Sequence, residues 1–253
     1  MSAGPMQAPV PATEIPGLSP VARVANMFFA PTKTFNDLRR SANWLVPFVL
    51  IAICSVAFAY AVDTKIGYDK VAEAQVKLNA KAADQLDRLS PEQRAQRMDW
   101  SAKFSRYLGY GMFLPFLLGY IVVAAILMGT FNFGFGAEVR FSTSLAIVIF
   151  SSVPGILREL LGILTIFAGV DPDGFMVQNP VATNPASLVD VAAHPALYSF
   201  LAGFDVLKFW TLILTGIGFA CLTKVKRGTS IGVIFAWYFI FILLSVGIAA
   251  AFS

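Results

Sequence analysis

Five long apolar stretches constrain this chain more than any other feature of its sequence. Each approaches or exceeds the roughly 20 residues that a helix needs to cross a hydrocarbon layer about 30 Å thick. A segment in hydrocarbon must satisfy its own backbone hydrogen bonds, and a helix does so. The sequence therefore predicts an all-α, multi-pass membrane protein with a five-helix transmembrane bundle. The predicted spans are residues 44–62, 109–131, 143–169, 204–222 and 231–252.

Composition agrees with a membrane protein and argues against several other classes. Hydrophobic residues make up 57% of the chain and charged residues 13%, whereas an ordinary soluble domain carries about 25% charged residues. No basic stripe interleaved with aromatic residues occurs, so we expect no nucleic-acid binding. One histidine and two cysteines are too few for a typical zinc site. We therefore expect no metal and no cofactor.

Catalytic motifs are absent from the sequence. It contains no serine elbow, no phosphate-binding loop and no metalloprotease motif. We predict that the protein is not an enzyme and has no catalytic residues.

The charges in the loops predict how the chain crosses the membrane. Lys and Arg lie before the first span and between the fourth and fifth spans, and the loop at 170–203 contains neither. Because basic loops stay in the cytoplasm, we expect a cytoplasmic N-terminus and an outer C-terminus in the inner membrane. Residues 63–108 hold nine Lys or Arg and are placed outside by this topology. They also hold seven acidic residues, and a long folded loop weighs little in this rule.

Two segments precede the first span. Residues 1–20 contain five prolines among small residues, which predicts a disordered cytoplasmic tail. Residues 21–253 then form the membrane domain. Within 18–40, apolar residues recur at helical spacing and the segment ends in Arg39-Arg40, a pattern typical of helices that lie in the membrane interface.

The loop at 63–108 has its own helical pattern. Apolar residues fall on one face, charged residues cover the other, and Ser90-Pro91-Glu92-Gln93 reads as a capped helix start. We predict a helical hairpin outside the membrane, between spans 1 and 2. Two interpretations stay open, namely solvated helices without a partner and a stalk that binds a protein partner.

Charged residues inside the apolar stretches form the candidate site. Arg158 and Glu159 lie in the third stretch, where a charge costs about 2.5–3.5 kcal/mol on insertion scales. Asp205 and Lys208 open the fourth stretch at a similar depth. We predict that Arg158 pairs with Asp205 and that Glu159 pairs with Lys208. The cluster is interpreted either as a structural clamp or as a site for a solute or proton.

Two further features of the spans are open to more than one interpretation. Pro154-Gly155, one turn before the charged pair, predicts a helix kink, which serves either packing or gating. Small residues recur at four-residue spacing, as in Gly216 with Ala220 and Gly232 with Ala236. They fit close packing within the chain or a homo-oligomer face.

Many short pieces in a fixed order carry a resemblance to a known family. They are Phe29-Ala30-Pro31-Thr32-Lys33-Thr34-Phe35 running to Trp44 and Pro47; Phe135-Gly136-Ala137-Glu138 and Phe141 leading to Val153-Pro154-Gly155; Gln178-Asn179-Pro180 with Thr183-Asn184; and Asp205, Trp210 and Gly216. In these the chain resembles the Yip1 family, specifically its bacterial branch. The resemblance implies five spans and a cytoplasmic N-terminus.

The resemblance implies a fold but no assigned reaction. Eukaryotic relatives take part in vesicle traffic and contact small GTPases, yet their Asp-Leu-Tyr-Gly-Pro element is absent here. We therefore expect a non-catalytic membrane scaffold or adaptor, in contact with the lipid bilayer and with protein partners. The alternative is a transporter or permease component that uses the charge cluster.

Overall fold

The computed structural model describes residues 17–77, 80–172, 175–191 and 193–252. These residues form twelve α-helices and two short 3-10 helices, and they contain no strand. The predicted all-α class is confirmed. Residues 1–16 of the predicted tail lie outside the described residues.

The helices follow one another with short connections over most of the chain. In order they are α1 (Pro20–Phe29), α2 (Pro31–Asp37), α3 (Leu45–Lys65), α4 (Tyr68–Lys77), α5 (Ala80–Asp87), α6 (Pro91–Gly111), α7 (Phe113–Phe135), α8 (Phe141–Ser151), α9 (Ile156–Phe167), α10 (Pro195–Ala202), α11 (Val206–Leu222) and α12 (Arg227–Phe252). The 3-10 helices are Val153–Gly155, between α8 and α9, and Pro185–Leu188.

By length and composition, four helical segments of the described chain are able to cross a membrane by themselves. They are α3, α7, α8 with α9, and α12. A fifth crossing is formed if α10 and α11, which bend by 51° at a short break, count as one span. The predicted fourth span at 204–222 thus corresponds to α11, the second helix of this bent pair.

Contacts at its two ends show that α11 runs through the bundle. Near its start, Val206 N donates to Thr183 O of the long loop. At its end, Arg39 donates to the backbone oxygen of Cys221, and α11 packs against α2. We call the end of the bundle near α4–α6 and the loop after α9 the hairpin side, and the opposite end the N-terminal side.

The N-terminal side of the bundle is packed with apolar side chains. The rings of Phe131 and Phe219 stack with their centroids 4.3 Å apart. Phe35 and Met27, from α2 and α1, are fully buried against this core. An ion pair between Arg23 and Asp37, with an N–O distance of 2.7 Å, is buried beneath α1 and α2.

On the hairpin side, α4, α5 and α6 occupy the segment predicted to form a helical hairpin. The predicted capping box at the start of α6 is present, since Ser90 and Gln93 each bond the other's backbone N–H. Helix α6 packs against α4 and against the end of α3, and Met112 alone separates it from α7. The second arm of the hairpin therefore leads directly into a membrane span.

Candidate functional site

A polar cavity of about 310 Å³ lies within the hairpin-side half of the bundle. Residues from α3, α7, α9, α10 and α11 line it together with the loop that follows α9. All four charged residues of the predicted cluster face this cavity. Its polar lining comprises Ser55, Tyr120, Ser152, Arg158, Glu159, Gln178, Asn179, Asn184, Tyr198, Asp205, Lys208 and Thr211.

Asp205 has partners that the sequence analysis did not identify. Its Oδ2 accepts hydrogen bonds from the Thr183 hydroxyl and from Asn184 Nδ2, the latter at 3.3 Å. Its Oδ1 accepts from the backbone N–H of Lys208 at 2.9 Å, so Asp205 is the N-cap of α11. Three hydrogen bonds from the loop and from its own helix therefore hold the carboxylate in place.

The predicted ion pairs do not form among the described residues. No nitrogen–oxygen distance of 4.0 Å or less joins Arg158 to Asp205 or Glu159 to Lys208. Arg158 nevertheless lies close enough to act electrostatically on Asp205, Glu159 and Lys208. The four residues share one cavity without closing into a clamp of two salt bridges.

The loop that holds Asp205 is itself fixed by an amide pair. Asn184 Nδ2 donates to Asn179 Oδ1 at 3.0 Å, and Asn184 Oδ1 accepts from the backbone N–H of Ala186 at 3.2 Å. Asn179, Thr183 and Asn184 entered the sequence analysis only as parts of the family resemblance. Their short polar side chains around a Pro-rich turn were the signal for this role.

The helix of the third span changes its hydrogen bonding beside the cavity. Helix α8 ends at Ser151, and Val153–Gly155 form a 3-10 turn before α9 begins. Proline supplies no N–H for the ladder, and the Ser152 hydroxyl donates to Val148 O at 2.9 Å. The hydroxyl oxygen of Ser151 is buried without a hydrogen-bond partner in the described chain. The break lets Gly155 line the cavity.

A second cavity, of about 180 Å³, adjoins the first and is mostly apolar. Both are lined by Tyr120, Ser152, Lys208 and Thr211. The remaining walls of the second cavity come from α7, α8, α11 and α12. They are Val123, Ile126, Leu127, Val148, Leu212, Thr215, Ile234, Trp237, Tyr238 and Phe241.

The polar cavity ends where the N-terminal half of the bundle is filled. A Cβ added at Gly218 would lie 2.5 Å from Ile147 and 2.9 Å from the Phe35 ring. Phe131 and Phe219 stack in the same layer. The described side chains at this level are therefore closely packed.

A second candidate surface lies on the hairpin. Trp100, Phe104 and Tyr107 occupy one face of α6 at helical spacing, and they are 58%, 51% and 78% exposed. The rings of Trp100 and Phe104 stack at 5.2 Å, and the guanidinium of Arg97 lies 5.9 Å from the Trp100 ring. We call Trp100, Phe104 and Tyr107 the aromatic row.

The base of the hairpin is tied to the first span. Asp63, near the end of α3, accepts from Arg106 Nε at 2.9 Å and from the Tyr110 hydroxyl at 3.0 Å, both on α6. Tyr68 of α4 is buried beside them. Burial, with a smaller effect from the negative charge of Asp63, raises the pKa of Tyr68 to about 12. The hairpin is therefore fixed relative to the bundle.

Groups that could hold a metal ion are not gathered anywhere in the described chain. No set of three His, Cys, Asp or Glu residues comes together within its four described ranges. The expectation of no metal and no cofactor stays a prediction.

The long apolar helices define a multi-pass helical membrane protein. A family model for the Yip1 domain matches residues 25–248, nearly the whole chain, and the protein therefore belongs to the Yip1 family. The family resemblance seen in the sequence is confirmed. Neither the comparison with curated proteins nor the comparison with solved structures found a match. The Yip1 family is generally a family of non-enzymatic membrane proteins.

Proposed function

We propose that this protein is a non-catalytic membrane adaptor that binds a protein partner through the aromatic row. In this proposal it resides in the bacterial inner membrane with its N-terminus in the cytoplasm and the hairpin outside. The observation that carries the proposal is an exposed aromatic row on a hairpin that is fixed to the bundle. The partner's matching surface is an apolar patch.

Aromatic residues favour a binding surface because they bury a large area at a small cost in side-chain entropy. They are enriched in protein interfaces and among the residues that dominate binding energy. Trp100, Phe104 and Tyr107 point away from Ala102 and Ser105, which are buried on the other face of α6. A partner held there would be positioned relative to the membrane spans through Asp63 and Arg106.

Site-specific photocross-linking in native membranes tests this proposal. A benzophenone side chain is placed at Phe104, and as a control at Arg88, which is exposed in the turn between α5 and α6. We expect one discrete protein adduct from Phe104 and none from Arg88. Trp100→Ala, which removes a neighbouring ring, should reduce the yield of that adduct several-fold.

The mass of the adduct separates the outcomes. An adduct of twice the 27.4 kDa chain mass would identify a second copy of this protein as the partner. Cross-links from Phe104 to lipid alone, or equal cross-linking at Arg88, would contradict the proposal.

The polar cavity favours a second candidate function, a component of a transporter or permease. Its charged lining suits a solute, while the packed layer of Phe131 and Phe219 opposes passage to the N-terminal side. Labelling of Thr211→Cys with an impermeant maleimide distinguishes the two. An adaptor should react from the hairpin side only, whereas a transporter should react from both sides.

A further inference from the structure

Two cations of the cavity lack a bonded partner. Arg158 and Lys208 make no hydrogen bond or ion pair through their side chains among the described residues, although each lies near the other. The Lys208 side chain is exposed and lines the cavity. Asp205 and Glu159 line the same cavity and offset part of the two positive charges, but neither carboxylate bonds a cation directly, so both cations keep N–H donors free for an anionic group. The pair is therefore complementary to an anionic group.

The two carboxylates of the cavity differ in their availability. Asp205 is occupied by Thr183, Asn184 and the backbone N–H of Lys208. Glu159 has no hydrogen bond or ion pair within the described chain and also faces the cavity. The groups left to bind a ligand are thus two cations and one carboxylate. This set matches a ligand that carries both a phosphate and an amine.

The adjoining apolar cavity extends the site toward the lipid. Helices pack in the order α7, α8, α11 and α12, whereas α7 and α12 meet more loosely, through a hydrogen bond of 3.0 Å from Trp237 Nε1 to Thr130 Oγ1. The cavity with Ile126, Trp237 and Phe241 in its walls lies between those two helices. An apolar chain therefore fits between α7 and α12, directly beside Lys208.

The depth of the cations suits a lipid headgroup. Lys208 is in the first turn of α11. With the hydrocarbon layer of roughly 30 Å taken to begin at Phe141, Arg158 lies 17 residues later, a rise of about 26 Å. Both cations are therefore near the hairpin-side boundary of the hydrocarbon.

We propose that the two cavities together bind one phospholipid with an amine-bearing headgroup, such as phosphatidylethanolamine. The phosphate lies between Arg158 and Lys208, the ammonium group lies at Glu159, and one acyl chain lies between α7 and α12. Basic pockets between membrane helices are known to hold lipid headgroups. This inference does not depend on the aromatic row or on its partner.

Quenching of Trp237 measures this binding directly, because that residue lines the apolar cavity. The full-length protein in a non-ionic detergent is titrated with phosphatidylethanolamine whose acyl chains carry bromine. We expect saturable quenching that is lost in Trp237→Phe. Phosphatidylglycerol and phosphatidylcholine with the same chains should bind more weakly. Phosphatidylglycerol lacks the amine, and the quaternary amine of phosphatidylcholine has no N–H donors.

Variants assign the headgroup contacts. Arg158→Gln and Lys208→Gln should each weaken binding roughly tenfold, as expected for the loss of a charge-assisted hydrogen bond. Lys224→Gln, an exposed lysine beyond the other end of α11, is the matched control and should bind normally. Glu159→Gln should abolish the preference for phosphatidylethanolamine over phosphatidylglycerol. Phe104→Ala should have no effect, which separates this site from the adaptor surface.

Competition distinguishes a lipid from a free anion. Inorganic phosphate in excess should displace little brominated lipid if the acyl chain contributes, and Ile126→Trp should block the chain. Full displacement by phosphate, or unchanged binding in Ile126→Trp, would overturn the lipid assignment. Equal quenching by all three lipids would overturn the headgroup assignment. If the Arg158 and Lys208 variants are not monodisperse, the binding measured with Glu159→Gln and Ile126→Trp tests the lipid site instead.

Discussion

At the base of the hairpin, Tyr68 occupies the space beside Gly109. A Cβ added at Gly109 would lie 2.0 Å from the Tyr68 hydroxyl oxygen and 2.8 Å from its ring. Tyr68 is buried and has little room to move, so Gly109→Ala should destabilise the protein by about 1–3 kcal/mol, as overpacking does. Thermal unfolding of the purified protein measures the loss.

Gly111 provides the matched control for this substitution. It lies on the same helix, and a Cβ there would meet nothing within 4 Å. Gly111→Ala should therefore leave the unfolding temperature unchanged or raise it slightly, since alanine favours helix. A loss in Gly111→Ala as large as that in Gly109→Ala would show that the contact with Tyr68 is not the cause.

The pKa of Tyr68 gives a prediction about pH. Because its pKa in the folded protein is raised from 10.0 to about 12, the stability linked to Tyr68 is present below pH 10 and is lost as pH rises through 12. The difference in phenolate absorbance between the wild type and Tyr68→Phe measures this ionisation. We expect the midpoint near 12, and a midpoint near 10 would contradict the buried environment.

Single residues also show where sequence reasoning succeeds. The capping box of Ser90 and Gln93 was predictable because its partners lie three residues apart. The partners of Asp205 were not, since Thr183 and Asn184 lie more than 20 residues away in a loop whose path the sequence does not reveal. The sequence prediction considered only partners of opposite charge for Asp205. Neutral hydrogen-bond donors stabilise the carboxylate instead.

Among the elements, α11 and α12 approach each other closely at a glycine. A Cβ at Gly216 would lie 2.7 Å from the Cα atom of Ile231, and Ser230 donates to Gly216 O at 2.8 Å. Backbone atoms cannot move aside as a flexible side chain does, so Gly216→Ala should separate the two helices. We expect a loss of stability of about 1–3 kcal/mol in thermal unfolding.

Gly232 offers the contrast within the same pair of helices. A Cβ there would meet nothing within 4 Å, and Gly232→Ala should be tolerated in the monomer. The small residue at Gly216 therefore serves packing within the chain. If Gly232→Ala instead shifts the protein to a smaller assembly in size-exclusion chromatography, Gly232 lies in a homo-oligomer interface.

The number of membrane spans and their helical structure were predictable from the sequence, but the breaks within them were less so. Long apolar runs identified the spans because the thickness of the bilayer fixes their length. The bend between α10 and α11 was not anticipated, because Phe204 and the residues before it are as apolar as a continuous span. At the break, Asp205 caps the start of α11 and the Tyr238 hydroxyl donates to Gly203 O at 2.7 Å.

On the scale of the whole molecule, the two ends of the bundle differ in how closely their centres are packed. The N-terminal side is packed around Phe131 and Phe219, while the hairpin side contains the polar cavity. The sequence predicted that the four charges share a depth, because helical rise converts residue number into distance. It did not predict a cavity, since the space left between helices depends on how they pack.

In the five-span topology α11 crosses the membrane, so that the hairpin and the α11–α12 turn lie on opposite sides. In a background without Cys54 and Cys221, single cysteines are placed at Gln96 on α6 and at Gly228 in the first turn of α12, both exposed. An impermeant maleimide is added to cells with an intact inner membrane. The five-span account predicts labelling of Gln96→Cys at once and of Gly228→Cys only after permeabilisation. Labelling of both cysteines before permeabilisation would show that α10 and α11 form a re-entrant loop, and it would contradict the five-span topology.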